Sequence, residues 1–281
     1  MNFQLTIETK EDYNIYNDTI LIPKLSNGFN SYYLDKLKHI KEAIEDIRKK
    51  EKESRYYKIV SPGSVSKNSE LYKTFNLGLK QLNYIIFEIF KIFNIKGSVN
   101  TNDKKTEESI KNISNILKIT QKTKDYDVYF NNKKINFDEN FYKQEAEFIP
   151  ILEEEIKNIE DLKKGGIFIT RIYNIFLQKT ENIVMNLINN FDKVILYKPI
   201  TVDNYKVDKY LICIGKKAKP NKEYGIIKDL NKINEEFIIF QVEGINEVIN
   251  YINGKNYRGS EYDKYVERQM NEQKKLIKDL K

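Results

Sequence analysis

One cysteine, Cys213, and one histidine, His39, are all that 281 residues contain of either type; tryptophan is absent and there are five prolines. A single cysteine excludes an internal disulfide and a cysteine-built zinc cage, and a single histidine leaves little for a histidine-led triad or metal site. Long hydrophobic runs are missing as well. No stretch approaches eighteen apolar residues and the mean hydropathy is −0.62, so an integral membrane protein is excluded and no membrane partner is expected. Glu8, Glu11 and Asp12 stand where a secretory signal would need its apolar stretch, which leads us to expect a cytoplasmic protein.

Hydrophobic residues make up 40% and charged residues 32% of the chain, enough to bury a sizeable core. Lysine and arginine number 48 against 41 acids, a net charge of +7, and that balance favours an acidic partner such as RNA or DNA. Heavy use of Lys, Asn, Ile and Tyr is also the pattern of an AT-rich genome, so part of the lysine excess reflects codon choice.

Hydrophobic periodicity divides the chain. Two short extended runs, 3–7 and 19–23, come first. Tyr33, Leu34, Leu37, Ile40, Ala43, Ile44 and Ile47 recur at steps of three and four and predict an amphipathic helix over 31–53. A strand at 56–60, a tight turn at 61–64, a helix at 69–77 ended by Gly78, and a strand within 83–88 follow, and 97–106 reads as a polar loop. Ile110, Ile113, Ile116 and Leu117 predict a further helix. After it come a strand at 126–130, a helix over 141–162 ended by Gly165 and Gly166, a buried strand at 167–172, a helix at 180–190 and strands at 193–197 and 209–214. The last two are joined by a connection too short for a helix and should be antiparallel. The alternation predicts an α/β, Rossmann-like fold: a mostly parallel sheet with a terminal antiparallel hairpin, helices on both faces, and ligands at the carboxyl ends of the strands. We divide the chain into an amino-terminal extension (1–30), this domain (31–215) and a carboxyl-terminal helical extension (216–281).

Several segments could carry chemistry. Ser61, Pro62, Gly63 and Ser64 form a strand-to-helix turn that either meets a cofactor with its backbone amides or is an ordinary turn. Glu88, at the end of the next expected strand, either accepts from ribose hydroxyls or is a solvated acid. Lys36, Lys38 and Lys41 form either a phosphate-facing strip or ion pairs with Glu42 and Asp46. The charged run 48–53 reads as a solvated helix end, Cys213 as buried and inert, and His39 as structural or on the surface. Tyr262, Tyr265, Val266, Met270, Leu276 and Leu280 give the last helix an apolar stripe that docks either on its own domain or on a partner.

The later half carries a resemblance. Leu162-Lys163-Lys164-Gly165-Gly166 before the strand containing Arg171, then Lys198-Pro199, then Asp208 before Tyr210-Leu211-Ile212-Cys213, resemble the FtsJ-like ribose 2′-O-methyltransferases. Ser61-Pro62-Gly63-Ser64-Val65-Ser66 is similar to that family's Ala-Pro-Gly-Ser cofactor loop, and Lys36-Leu37 with Ile40 to its Lys-Leu-x-x-Ile. The likeness spans about 31–215 and extends to the poxvirus cap 2′-O-methyltransferases, with an Asn-Leu-Gly like Asn76-Leu77-Gly78. The non-catalytic small subunit of the poxvirus mRNA capping enzyme, of comparable length and without the catalytic residues, is similar in kind. The resemblance implies a Rossmann-like S-adenosylmethionine methyltransferase fold, with Ser61, Pro62, Gly63, Ser64 and Glu88 at the cofactor.

It also implies a Lys-Asp-Lys-Glu tetrad. Its first lysine falls on Lys36, but its aspartate falls on Asn132, its second lysine on Arg171 and its glutamate on Asp208, so three of four positions differ. An amide supplies no negative charge, and a guanidinium that stays protonated cannot act as a base. Ile59 replaces a glycine before the cofactor loop, and Val202-Asp203 replaces a Ser-Arg pair. We therefore expect a degenerate methyltransferase-fold subunit that uses no cofactor and stimulates a larger catalytic capping or RNA-processing subunit, as a heterodimer, in the cytoplasm, a virion or a viral factory. The alternatives are an active cap ribose 2′-O-methyltransferase using S-adenosylmethionine, and an RNA-binding processivity factor of a polymerase or poly(A) polymerase.

Overall fold

The computed structural model describes residues 3–7, 9–10, 39, 42, 49, 65–135, 141–202, 208–220, 226–253 and 260–281. The expected strands at 19–23 and 56–60, the turn at 61–64, and most of the helix expected over 31–53 lie outside these residues. His39, Glu42 and Lys49 from that helix are helical and exposed, with His39 Nδ1 3.4 Å from the Glu42 carboxylate.

Among the described residues, seven strands form the main sheet. In chain order they are β1 (Phe3–Thr6), β3 (Gly97–Asn100), β4 (Ile119–Gln121), β5 (Tyr126–Asn131), β6 (Leu162–Ile172), β7 (Phe191–Lys198) and β8 (Lys209–Lys216). Their order across the sheet is β1-β7-β8-β6-β5-β3-β4, and β2 (Thr9–Lys10) pairs separately with β9 (Ile226–Ile227). The β7–β8 hairpin is antiparallel, as its short connection requires. The sheet as a whole is not mostly parallel, however. Parallel pairing covers β4-β3, β3-β5 and β5-β6, whereas β6-β8, β8-β7 and β7-β1 are antiparallel. The physical reason is that β8 returns between β6 and β7, and β1 adds to the far side of β7, so half of the pairings run against the βαβ direction.

Helices cover both faces. On one face α1 (Glu70–Phe75), α2 (Gln81–Ile92), α3 (Lys104–Leu117) and α7 (Ser260–Leu280) bury Leu71, Ile86, Phe90, Ile110 and Leu276 against Val128, Phe130, Ile169, Ile195 and Ile212. On the other face α4 (Phe141–Ile156), α5 (Gln178–Asn190) and α6 (Leu230–Asn253) pack over Tyr129, Phe168, Ile172, Leu196, Leu211 and Cys213, with Val184, Leu187, Ile233 and Phe237 contributing. The two sets alternate along each strand, as the period of two demands.

Three expectations fail locally. Residues 83–88 are not a strand but the middle of α2, where Asn83 to Phe90 are all buried. A short apolar run fits either element, and here it continues with Leu82, Ile89 and Phe90 far enough to bury a helix on all sides. Residues 97–106 are not a loop. They contain β3 and the start of α3, whose N-cap Asp103 accepts from Thr106 N; β3 is specified by its neighbours, since Ser98 N and Oγ both donate to Asp127 Oδ2 at 2.7 Å. Finally, Gly165 and Gly166 do not end a helix. α4 stops at Ile156, a 3-10 turn follows over Lys157–Ile159, and both glycines lie inside β6.

Candidate functional site

Three of the four tetrad positions converge at the carboxyl end of β5 and β6 and the start of β8. Arg171 pairs in register with Tyr210 on the neighbouring strand. Asp208, two residues before Tyr210, shares that strand face by parity, and Asn132 follows the end of β5. Arg171 is 7% exposed, and each part of its guanidinium has a partner. Nη1 donates to Asp208 Oδ1 in a short ion pair. Nε and Nη2 donate to Asn132 Oδ1 at 3.3 and 2.6 Å, and Nη2 also reaches the Tyr210 hydroxyl at 3.4 Å. The Tyr210 hydroxyl in turn donates to Asn132 Oδ1 at 2.5 Å.

Electrostatics follow from this closure. Burial works to lower the Arg171 pKa, but Tyr210 and Asp208 outweigh it and hold the group above its ordinary value. Burial pushes the Tyr210 phenol up to about 12, with Arg171 pulling the other way. Arg171 is therefore a fixed cation. A guanidinium cannot deprotonate a hydroxyl, and its donors are already committed to protein acceptors. The cluster binds three strands together, and Arg171, at the position of the second lysine, supplies it with no general base.

Lys36, Ser61, Pro62, Gly63 and Ser64 lie outside the described residues. Glu88 is described, and its placement is a correction: it stands in the buried middle of α2 rather than at a strand end. Its Oε1 accepts from the Tyr197 hydroxyl at 2.6 Å and from Ile200 N at 2.7 Å, and its Oε2 accepts from Thr201 N and Oγ1 at 3.0 and 2.7 Å. Both oxygens are thus filled by the segment that leaves β7, and Gln81 Nε2 adds a bond to Thr201 O at 2.5 Å. In this conformation Glu88 does not fit the role of ribose acceptor. It clamps the chain after Lys198-Pro199, ahead of Asp208. Burial raises its pKa, against the four donors that lower it.

Tyr210 and Glu145 escaped the sequence reading. Tyr210 could have been found by parity with Asp208. Glu145, on α4, accepts from Phe176 N and Leu177 N at 2.9–3.0 Å and so satisfies amides at the start of α5; no pattern in the chain signals that pairing. No group of three or more His, Cys, Asp or Glu side chains suited to a metal occurs among the described residues.

Fold and site together define a mixed α/β protein whose described residues place helices on both faces of a mixed sheet and a polar cluster at its carboxyl edge. No family model matches the chain. It is similar to a cap-specific mRNA (nucleoside-2′-O-)-methyltransferase of Autographa californica nuclear polyhedrosis virus, 28% identical over 91 residues, which is 32% of this chain and 34% of that protein. It is also similar to an uncharacterized protein of Acanthamoeba polyphaga mimivirus, 24% identical over 162 residues, 50% of this chain and 45% of that protein. In each case less than half of the viral protein is spanned. The similarity supports a methyltransferase-like relationship, and both relatives are viral. No helix among the described residues is long and apolar enough to cross a membrane.

Proposed function

We propose that this chain is a methyltransferase-fold subunit that has lost the transfer chemistry and that binds and stimulates a larger mRNA-capping enzyme. The observation that carries this reading is the closed Arg171–Asp208–Asn132–Tyr210 cluster. A lysine able to lose its proton at the Arg171 position, flanked by two carboxylates, could help activate a ribose hydroxyl. A saturated guanidinium with one carboxylate and one amide cannot. The occupied Glu88 supports the same reading for the cofactor, and the reading implies a cytoplasmic setting, a viral factory or virion included.

A second reading is an active RNA cap 2′-O-methyltransferase using S-adenosylmethionine, and the 91-residue similarity to a cap-specific enzyme favours it. Calorimetric titration of the full chain with S-adenosylmethionine and S-adenosylhomocysteine, followed by transfer assays on capped RNA, separates the two. The first reading expects no binding at millimolar ligand and stable co-purification with a larger chain from cells expressing both. Micromolar binding, with methyl transfer that Lys36→Ala abolishes, would establish the second.

A further inference from the structure

At the β4 end of the sheet the charge is almost all of one sign. Residues 89–102 and 109–124 contain six lysines and no acid, and the fold brings the two stretches together. The first gives the last turn of α2 and then β3; the second gives the carboxyl half of α3 and then β4, which pairs with β3 as the last strand of the order. Lys96 leads into β3, Lys118 closes α3, and Lys122 and Lys124 follow β4. All four are exposed, and Asn94, Asn115, Thr120 and Gln121 are exposed on the same segments.

The acids that flank these stretches are already engaged. Glu107 pairs with Lys111 at 2.8 Å and Glu108 with Lys80 at 2.6 Å. Asp103 caps α3 by accepting from Thr106 N, and Asp127 is held by Lys163 and Ser98; Asp125 remains beside Lys124. The negative end of a helix accounts for Lys91 in the last turn of α2 and for Lys118 at the end of α3. It does not account for Lys96, Lys122 and Lys124, which lie beyond the helix ends, where that field has fallen off.

Such a surface is unlike a protein interface, whose centre is apolar and poor in lysine; here the exposed large apolar side chain is Ile116, at 51%. It suits a phosphate backbone, whose charges meet compact ammonium groups one by one while neighbouring amides and hydroxyls donate to the phosphate oxygens. We propose that the β3–β4 edge binds the backbone of a nucleic-acid strand through Lys96, Lys118, Lys122 and Lys124, reading phosphates and not sequence. The edge lies three strand spacings, about 14 Å, to the side of β6, so it holds a strand beside the Arg171 cluster and not in it. It stands whether or not the chain transfers methyl groups.

Fluorescence anisotropy of a labelled oligouridine RNA with the full chain, repeated from about 50 to 300 mM salt, tests this. Each phosphate neutralised on a single strand contributes about 0.7 to the slope of log affinity against log salt. Changing Lys96, Lys118, Lys122 and Lys124 together to Gln should therefore flatten the slope by about 2 to 3 and weaken binding at about 100 mM salt at least tenfold. An oligodeoxythymidine of equal length should show the same change, because sugar and base take no part. Changing Lys179, Lys232, Lys274 and Lys278 to Gln removes as much charge from α5, α6 and α7 and should keep the wild-type slope. Photocrosslinking of 4-thiouridine RNA to the wild type depends on no variant folding and should place adducts within 91–124. Absence of RNA binding by the wild type at low salt, equal slopes for the wild type and the edge variant, or adducts confined to other segments would each overturn the proposal. So would an edge variant that keeps its RNA affinity but no longer co-purifies with a larger chain, since the edge would then belong to a protein partner.

Discussion

Asp208 is the carboxylate that meets Arg171, and removing its charge leaves a cation in a site from which water is largely excluded. Asp208→Asn should lower stability by about 2–4 kcal/mol, below the figure for a fully buried pair because Asp208 keeps a 20% exposed side chain. Tyr210→Phe, which removes one hydroxyl bond to Asn132 and one to Arg171, should cost about 1 kcal/mol. Urea unfolding at pH 7.5 measures both, and equal small losses would mean that the guanidinium is solvated. Glu88→Gln tests the clamp. Each of its oxygens faces a backbone N–H, so an amide nitrogen must confront a donor whichever way it turns, and a loss of about 1–3 kcal/mol is expected. The convergence of Asn132, Arg171 and Asp208 was legible because each lies at a strand end within a motif that preserves spacing. The way Asn132 serves Arg171 and Tyr210 with one oxygen was not legible, because it depends on strands brought together from 78 residues apart.

At the scale of elements, the two glycines of β6 make opposite demands on the chain. A Cβ on Gly166 would come within 2.8 Å of the Lys163 carbonyl and 2.9 Å of the Asp127 carbonyl, both backbone, whereas at Gly165 nothing lies within 4 Å and the constraint is φ of +75°. Gly165→Ala should therefore cost about 1–2 kcal/mol from left-handed strain, and Gly166→Ala more, because β5 and β6 must separate; thermal melts of the two variants should rank them in that order. Asp127 ties β3, β5 and β6 at the same level. The bond from Lys163 and the Ser98 amide hold its pKa down to about 2. Its folded pKa lies below the unfolded value, so its contribution is complete above about pH 4 and is lost as pH falls towards 2. The Lys163–Asp127 pair is more than a third exposed on each side, which limits the effect to under about 1 kcal/mol; Asp127→Asn should flatten the acid limb of the stability profile by that amount. These contacts also explain where periodicity misled. β3 has four residues, too few to show alternation, and it is held by Asp127 of the neighbouring β5, 29 residues further along the chain. α2 is buried from Asn83 to Phe90, so it presents a short apolar run, Tyr84 to Phe87, that a strand would share.

For the whole molecule, the last helix decides which parts of the chain belong to one cooperative unit. The stripe that could have docked on a partner is turned inward: Leu276, Ile277 and Leu280 of α7 join the core formed by α2 and the sheet, next to Leu71 of α1. Leu276 is fully buried, and its truncation to alanine should remove about 2–4 kcal/mol by lost burial and residual cavity. The measurement is chemical unfolding of the isolated chain, with the same variant then mixed with any capping subunit that co-purifies. If α7 belongs to this protein's own core, Leu276→Ala lowers the midpoint of the isolated chain, and the complex weakens only through that loss. If the helix instead served a partner, the isolated chain would keep its stability and the complex alone would suffer. The burial of Leu276 and Leu280 on the same face as Phe90 and Ile195 argues for the first outcome, leaving the charged side of α7, with Glu267, Arg268 and Lys275, as the part turned away from the core.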